Sequence, residues 1–103
     1  MFGIGNKTTK ILLEYFEQQK EILEVRIYGS RAMGTEKPGS DIDLAICGTK
    51  ITPTIFAKIW NEINDLPIVF KLDVVHFEAL GNRALKEEII KHGKILYQKA
   101  IST

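Results

Sequence analysis

The sequence has little of several features that would indicate other classes of protein. It contains one cysteine, Cys47, so an intramolecular disulfide is excluded, and its apolar neighbours predict a buried free thiol. No apolar run approaches the roughly 18 residues that span a bilayer. The opening segment, residues 1–6, is short and interrupted by glycine, so we expect no secretory signal. We therefore expect a cytoplasmic protein.

An excess of charge of one sign is also lacking. Fourteen Lys and Arg residues oppose thirteen Asp and Glu residues, giving a net charge of +1, so the overall charge does not favour nucleic acid as a partner. The chain is 45% apolar and 26% charged, the composition of an ordinary globular protein, and it shows no internal repeat. With 103 residues, we expect a single domain, residues 1–103, with one core.

Apolar periodicity and turn residues predict alternating helices and strands. The predicted elements are a helix from Thr8 or Thr9 to about Gln19, a strand at 25–28, a helical turn at 30–33, a strand at 41–47, a helix from Thr52 and Pro53 to about Asp65, a strand at 70–77, a helix at 82–91 closed by Gly93, and a short edge strand or docking segment at 95–97. The predicted fold class is α/β (α+β), a small mixed β-sheet flanked by helices in the order αβ(turn)βαβα.

A glycine and a hydroxyl stand where the first predicted strand ends. Gly29 lacks a Cβ, which lets the backbone approach a phosphate closely, and Ser30 can offer its hydroxyl and its backbone N–H. For Arg31 two roles stay open: its guanidinium contacts phosphate, or it braces the loop against an acidic neighbour such as Glu36. The segment therefore predicts a phosphate-binding loop.

Two carboxylates spaced i, i+2 open the second predicted strand. Asp41 and Asp43 point to the same face, about 6.6 Å apart along a strand, and their repulsion calls for a compensating charge. Mg²⁺, which prefers oxygen ligands, supplies that charge. Asp73 in the third predicted strand can be a third ligand for one or two metal ions, or a general base beside a single ion. We expect these three aspartates to be catalytic.

The spacing of Gly29-Ser30, a loop, Asp41-x-Asp43 and a distant Asp73 resembles the signature of the DNA polymerase β-like nucleotidyltransferase superfamily. More closely, it is similar to the minimal nucleotidyltransferases, the MntA-like antitoxins. The resemblance implies the nucleotidyltransferase fold, Mg²⁺ on the three aspartates, and transfer of AMP from ATP to a hydroxyl. It also implies a helical HEPN-type toxin as partner, with a tyrosine of that toxin as acceptor.

Two other functions compete with protein adenylylation. A binding module can neutralise its partner by complex formation alone, but such a module has no need of three aspartates. A small-molecule nucleotidyltransferase resembling the aminoglycoside-modifying enzymes needs an acceptor domain, which we do not expect in these 103 residues. The leading hypothesis is therefore a Mg²⁺-dependent enzyme whose acceptor belongs to a partner.

Overall fold

The computed structural model describes residues 2–100. Its elements in chain order are α1 (Gly5–Glu17), β1 (Glu24–Tyr28), α2 (Ser30–Met33), β2 (Ile42–Cys47), α3 (Pro53–Asn64), β3 (Leu72–His76), a 3₁₀ turn (Phe77–Ala79), α4 (Arg83–His92) and β4 (Lys94–Gln98). The predicted order is confirmed, and the short segment after the last helix is a strand. None of the described helices combines the length and the apolar character needed to cross a bilayer.

The four strands form one mixed sheet in the order β3-β2-β1-β4. Strand β1 pairs antiparallel with both β2 and β4, whereas β2 and β3 are parallel and are joined through α3. A parallel pair requires a crossover connection, which α3 provides. The mixed sheet flanked by helices therefore confirms the predicted fold class.

The two faces of the sheet are covered by different helices. On one face, alternate residues of β2 (Ile42, Leu44 and Ile46) join a core with apolar residues of α1 and α3. On the other face, Ile89 of α4 packs with Ala45 of β2. The alternation predicted for β2 is therefore confirmed, and the side chains at its other positions face α4 or solvent.

Local hydrogen bonds mark the start of α3 and both ends of α4. The Thr52 side chain accepts a hydrogen bond from the Ile55 N–H (3.2 Å) at the start of α3, followed by Pro53 at the first helical position. The Asn82 side chain caps α4 in the same way, and the Gly93 N–H donates to the Ile89 carbonyl at its end. The predicted start of α3 and the predicted closure of α4 are confirmed.

The first helix and the third strand differ from the prediction. Helix α1 begins at Gly5, and Thr9 lies inside it with its hydroxyl donating to the Gly5 carbonyl (2.8 Å). Strand β3 is shorter than predicted at both ends, because it begins at Leu72 and the chain enters the 3₁₀ turn at Phe77. Cys47 is a free and half-buried thiol, and its pKa is raised to about 12, chiefly by burial.

Candidate active site

The strand register places two of the predicted aspartates side by side. In the parallel β2–β3 pair Asp43 lies opposite Asp73, and in the antiparallel β1–β2 pair Tyr28 lies opposite Asp43. Paired residues on neighbouring strands point to the same face. A row of Tyr28, Asp43 and Asp73 therefore crosses three strands, and Asp41 stands just before β2 at the same end of the sheet.

The carboxylates at this end of the sheet repel one another. Burial raises the pKa of the Asp43 carboxyl above its ordinary value, and the charges of Asp73, Asp41 and Glu88 raise it further, while Arg31 opposes them. Burial and the same acidic surroundings also raise the pKa of the Tyr28 phenol to about 12. The folded chain thus gathers negative charge around the half-buried Asp43, between the exposed Asp41 and Asp73.

Gly29 lies directly against the Asp43 carboxylate. Its backbone has φ +72° and ψ −151°, a conformation that other residues rarely adopt. A Cβ at this position would stand 2.5 Å from Asp43 Oδ2. The glycine therefore permits both the sharp exit from β1 into α2 and the close approach of β2, with Ser30 half-buried as the first residue of α2.

Arg31 is buried with 4% of its surface exposed. Its guanidinium donates hydrogen bonds to the carbonyl oxygens of Ser40 (2.7 Å from Nη2), Asp41 (3.2 Å from Nε) and Phe2 (3.1 Å from Nη1), and it lies 4.8 Å from the ring centroid of Phe70. These contacts favour the role of a loop brace, although through main-chain carbonyls instead of Glu36, with which no ion pair forms within the described chain. Contact of Arg31 with phosphate stays a prediction.

The donor chemistry of the three aspartates fits a hard divalent cation. Asp43 and Asp73 are paired in register, and Asp41 is close enough for its charge to act on Asp43. Between residues 2 and 100, no three His, Cys, Asp or Glu side chains are already gathered at metal-binding spacing. The carboxylates share one end of the sheet without forming a closed cage, and Mg²⁺ commonly completes its shell with waters and substrate phosphates. Their roles as ligands stay predictions.

Two residues near the carboxylates, Tyr28 and Glu88, were not among the predicted site residues. Tyr28 had an available signal, because it directly precedes Gly29 at the end of a strand that enters the site. No signal in the sequence indicated Glu88, because its effect on the pKa of Asp43 depends on how α4 packs over the sheet.

Solved structures share this fold. A chain of the toxin-antitoxin MntA-HpeT, solved as a mutant, gives a TM-score of 0.67 at 20% identity over 92% of this chain and 74% of its own. A toxin-antitoxin with AMP-PNP gives 0.61 at 19% identity over 92% and 75%. The tri-AMPylated HEPN toxin of Shewanella oneidensis in complex with MNT antitoxin gives 0.52 at 17% identity over 91% and 69%. At these identities the likeness shows the fold.

A family model shows which family the chain belongs to. A search of curated proteins found no match. The family model described as polymerase beta, nucleotidyltransferase matches residues 10–102, which include the glycine-serine turn, both aspartates of the Asp-x-Asp segment and Asp73. The chain therefore belongs to the polymerase beta nucleotidyltransferase family.

Proposed function

We propose that this domain is a Mg²⁺-dependent enzyme that transfers AMP from ATP to a hydroxyl group of a partner protein. The observation that carries the proposal is the register of Asp43 opposite Asp73 in a member of the nucleotidyltransferase family, with Gly29 against Asp43. Two structural neighbours supply the nucleotide and the acceptor class, since one holds AMP-PNP and another contains an AMPylated HEPN toxin. We propose a helical HEPN-type protein as the partner and this chain as its antitoxin.

Each residue of the site has a proposed role in that transfer. Asp41, Asp43 and Asp73 would hold one or two Mg²⁺ ions, and the bound metal would offset polyphosphate charge and lower the pKa of the acceptor hydroxyl. Gly29 and Ser30 hold the nucleotide phosphates in line for transfer. The acceptor oxygen bonds to the α-phosphorus while the bond to the pyrophosphate oxygen breaks, and pyrophosphate leaves. The proton of the acceptor hydroxyl passes to the Asp73 carboxylate where Asp73 is not a ligand, and to solvent water where Asp73 is one.

The openness of the site supports a macromolecular acceptor. Asp41 and Asp73 are both exposed at the end of the sheet. Two cavities, of about 540 and 530 Å³, lie elsewhere, between α1 and β4 and beside the C-terminal end of β3. An acceptor at the carboxylates is therefore approached from solvent, as a protruding tyrosine of a docked protein would be.

The test is transfer of label from α-³²P-ATP in the presence of Mg²⁺ to a HEPN-type protein encoded beside this chain. We expect label on the partner with the wild type and none with Asp41→Asn/Asp43→Asn. Asp65→Asn is the matched control, because Asp65 is an exposed aspartate at the end of α3.

Three outcomes separate the competing functions. Label on the partner that disappears only in the double variant supports the enzyme. Neutralisation of the partner without any label, equal in the double variant, would refute transfer in favour of a binding module. Label on an aminoglycoside, with none on the partner, would refute a protein acceptor.

A further inference from the structure

Arg31 is a buried cation that no carboxylate within the described residues pairs with. Burying a charge is costly unless hydrogen bonds compensate for it. Here the compensation comes from main-chain carbonyls, and all three guanidinium nitrogens donate to them. Each guanidinium nitrogen therefore donates at least one hydrogen bond to the main chain inside the protein.

The acceptors of these hydrogen bonds belong to segments that are distant in sequence. Ser40 and Asp41 lead into β2, and the Ser40 carbonyl accepts from both Nε (3.3 Å) and Nη2 (2.7 Å). Phe2 lies ahead of α1, and its carbonyl accepts from Nη1. Phe70, whose ring packs against the guanidinium, lies two residues before β3. One side chain thus contacts the approaches to both strands that carry the paired aspartates.

The contacts of the Arg31 guanidinium lie next to a group of like charges that must be held close together. The carboxylates of Asp41, Asp43 and Asp73 repel one another, and that repulsion acts to separate the start of β2 from the start of β3. The Ile42 N–H, which donates to the Lys71 carbonyl (2.9 Å), is the hydrogen bond at that junction. The contacts of Arg31 to Asp41 and Phe70 brace the junction from both sides.

We propose that Arg31 is a positioning residue, whose guanidinium fixes the main chain at Ser40 and Asp41 and the approach of Phe70, so that the aspartates of β2 and β3 stay in register. The use of that arrangement for metal binding rests on the proposed function. The anchoring itself does not. Lysine cannot replace the arginine, because an ammonium group lacks the planar fork that reaches three carbonyls and stacks on a ring.

The experiment compares Arg31→Lys and Arg31→Gln with the wild type. Arg26→Lys is the matched control, because Arg26 is a half-buried arginine whose Nε contacts the Glu24 carboxylate at 2.6 Å, away from the aspartates. The first readout is amide hydrogen exchange of the free protein, for which we expect the Ile42 amide to exchange on the order of 10- to 100-fold faster in both Arg31 variants. The amides of β4 are expected to keep their protection.

The second readout is the binding of Mn²⁺ in place of Mg²⁺, measured by titration calorimetry. Loss of a group that orients a metal ligand typically weakens metal affinity about 10- to 100-fold. We expect a weakening of that order in Arg31→Lys and Arg31→Gln, and no change in Arg26→Lys.

Each contrary result has a distinct meaning. Unchanged exchange at Ile42 with a raised KM for ATP would overturn the proposal and make Arg31 a phosphate ligand. Faster exchange throughout the chain, or failure of Arg31→Lys to fold, would also overturn it, because Arg31 would then support the whole core. If the wild type binds no Mn²⁺ and transfers no AMP, the proposed function fails, whereas the exchange comparison still decides the role of Arg31.

Discussion

Replacing Gly29 by alanine adds a methyl group directly against the Asp43 carboxylate. The new Cβ would stand 2.5 Å from Asp43 Oδ2, closer than real Cβ contacts, so the carboxylate has to shift. The backbone at φ +72° and ψ −151° is an additional strain for alanine, of about 1–3 kcal/mol. The variant therefore perturbs both the fold and the position of Asp43.

The size of each effect follows from these contacts. For a domain of this length, 1 kcal/mol lowers Tm by about 4–8 °C, so we expect Gly29→Ala to melt roughly 4–24 °C below the wild type. Misplacing a catalytic group by about 1 Å costs on the order of 100-fold in rate. We therefore expect AMP transfer to fall about 10- to 100-fold even at temperatures where the variant is folded.

Gly34→Ala separates strain from crowding. Gly34 also has a positive φ, +73°, but a Cβ there meets no heavy atom within 4 Å. We expect it to lose about 1–2 kcal/mol from the left-handed backbone, with little change in AMP transfer. Calorimetric melting and labelled-ATP transfer test the pair of variants. Equal Tm values and equal transfer rates in the two would refute the argument that Gly29 exists to admit Asp43.

Three further predictions concern Asp43, Thr52 and Cys47. Burial and neighbouring negative charges raise the pKa of Asp43 above its ordinary 3.8, so the folded state holds the proton more tightly and the wild type loses stability as pH rises through that raised pKa. Asp43→Asn should therefore melt above the wild type at about pH 7 and lose this advantage at about pH 3; equal melting at neutral pH would contradict it. Thr52→Ala removes the cap of α3 and should cost about 1 kcal/mol in urea unfolding while AMP transfer is unchanged. Cys47, whose pKa is raised to about 12 chiefly by burial, should react with iodoacetamide at pH 8 far more slowly in the folded than in the urea-unfolded chain; equal rates would show an accessible thiolate.

The strands of the site could be predicted because their residues carry strong local signals. The apolar alternation of β2 places Ile42, Leu44 and Ile46 in the core and leaves Asp43 on the opposite face. Gly29 and the turn residues after it mark where the chain leaves β1. These patterns depend on neighbours within a few residues, so they can be recognised in the sequence without knowing the tertiary structure.

The features that the sequence did not reveal depend on distant contacts. Nothing in the local pattern says that β2 and β3 are adjacent with Asp43 opposite Asp73, because register is decided by pairing across the crossover. Arg31 presents the same difficulty, since its acceptors include the Phe2 carbonyl and main-chain atoms ten residues onward. At the first helix the apolar pattern placed the start too late: Thr9, one of the two predicted starting residues, lies inside the helix, and its hydroxyl donates to the Gly5 carbonyl.

The position of β1 between β2 and β4 bears on the order in which the molecule assembles. Glu24 pairs with Gln98, so the strand that delivers Gly29 to the site gains its second neighbour only from β4, the last strand in chain order. Pairings between residues so distant in sequence form slowly, because much chain must be ordered first. During synthesis, β1 therefore stays an open edge until β4 has emerged from the ribosome. For that interval the newborn chain exposes the free edge of β1, a pairing site for a chaperone or a second copy.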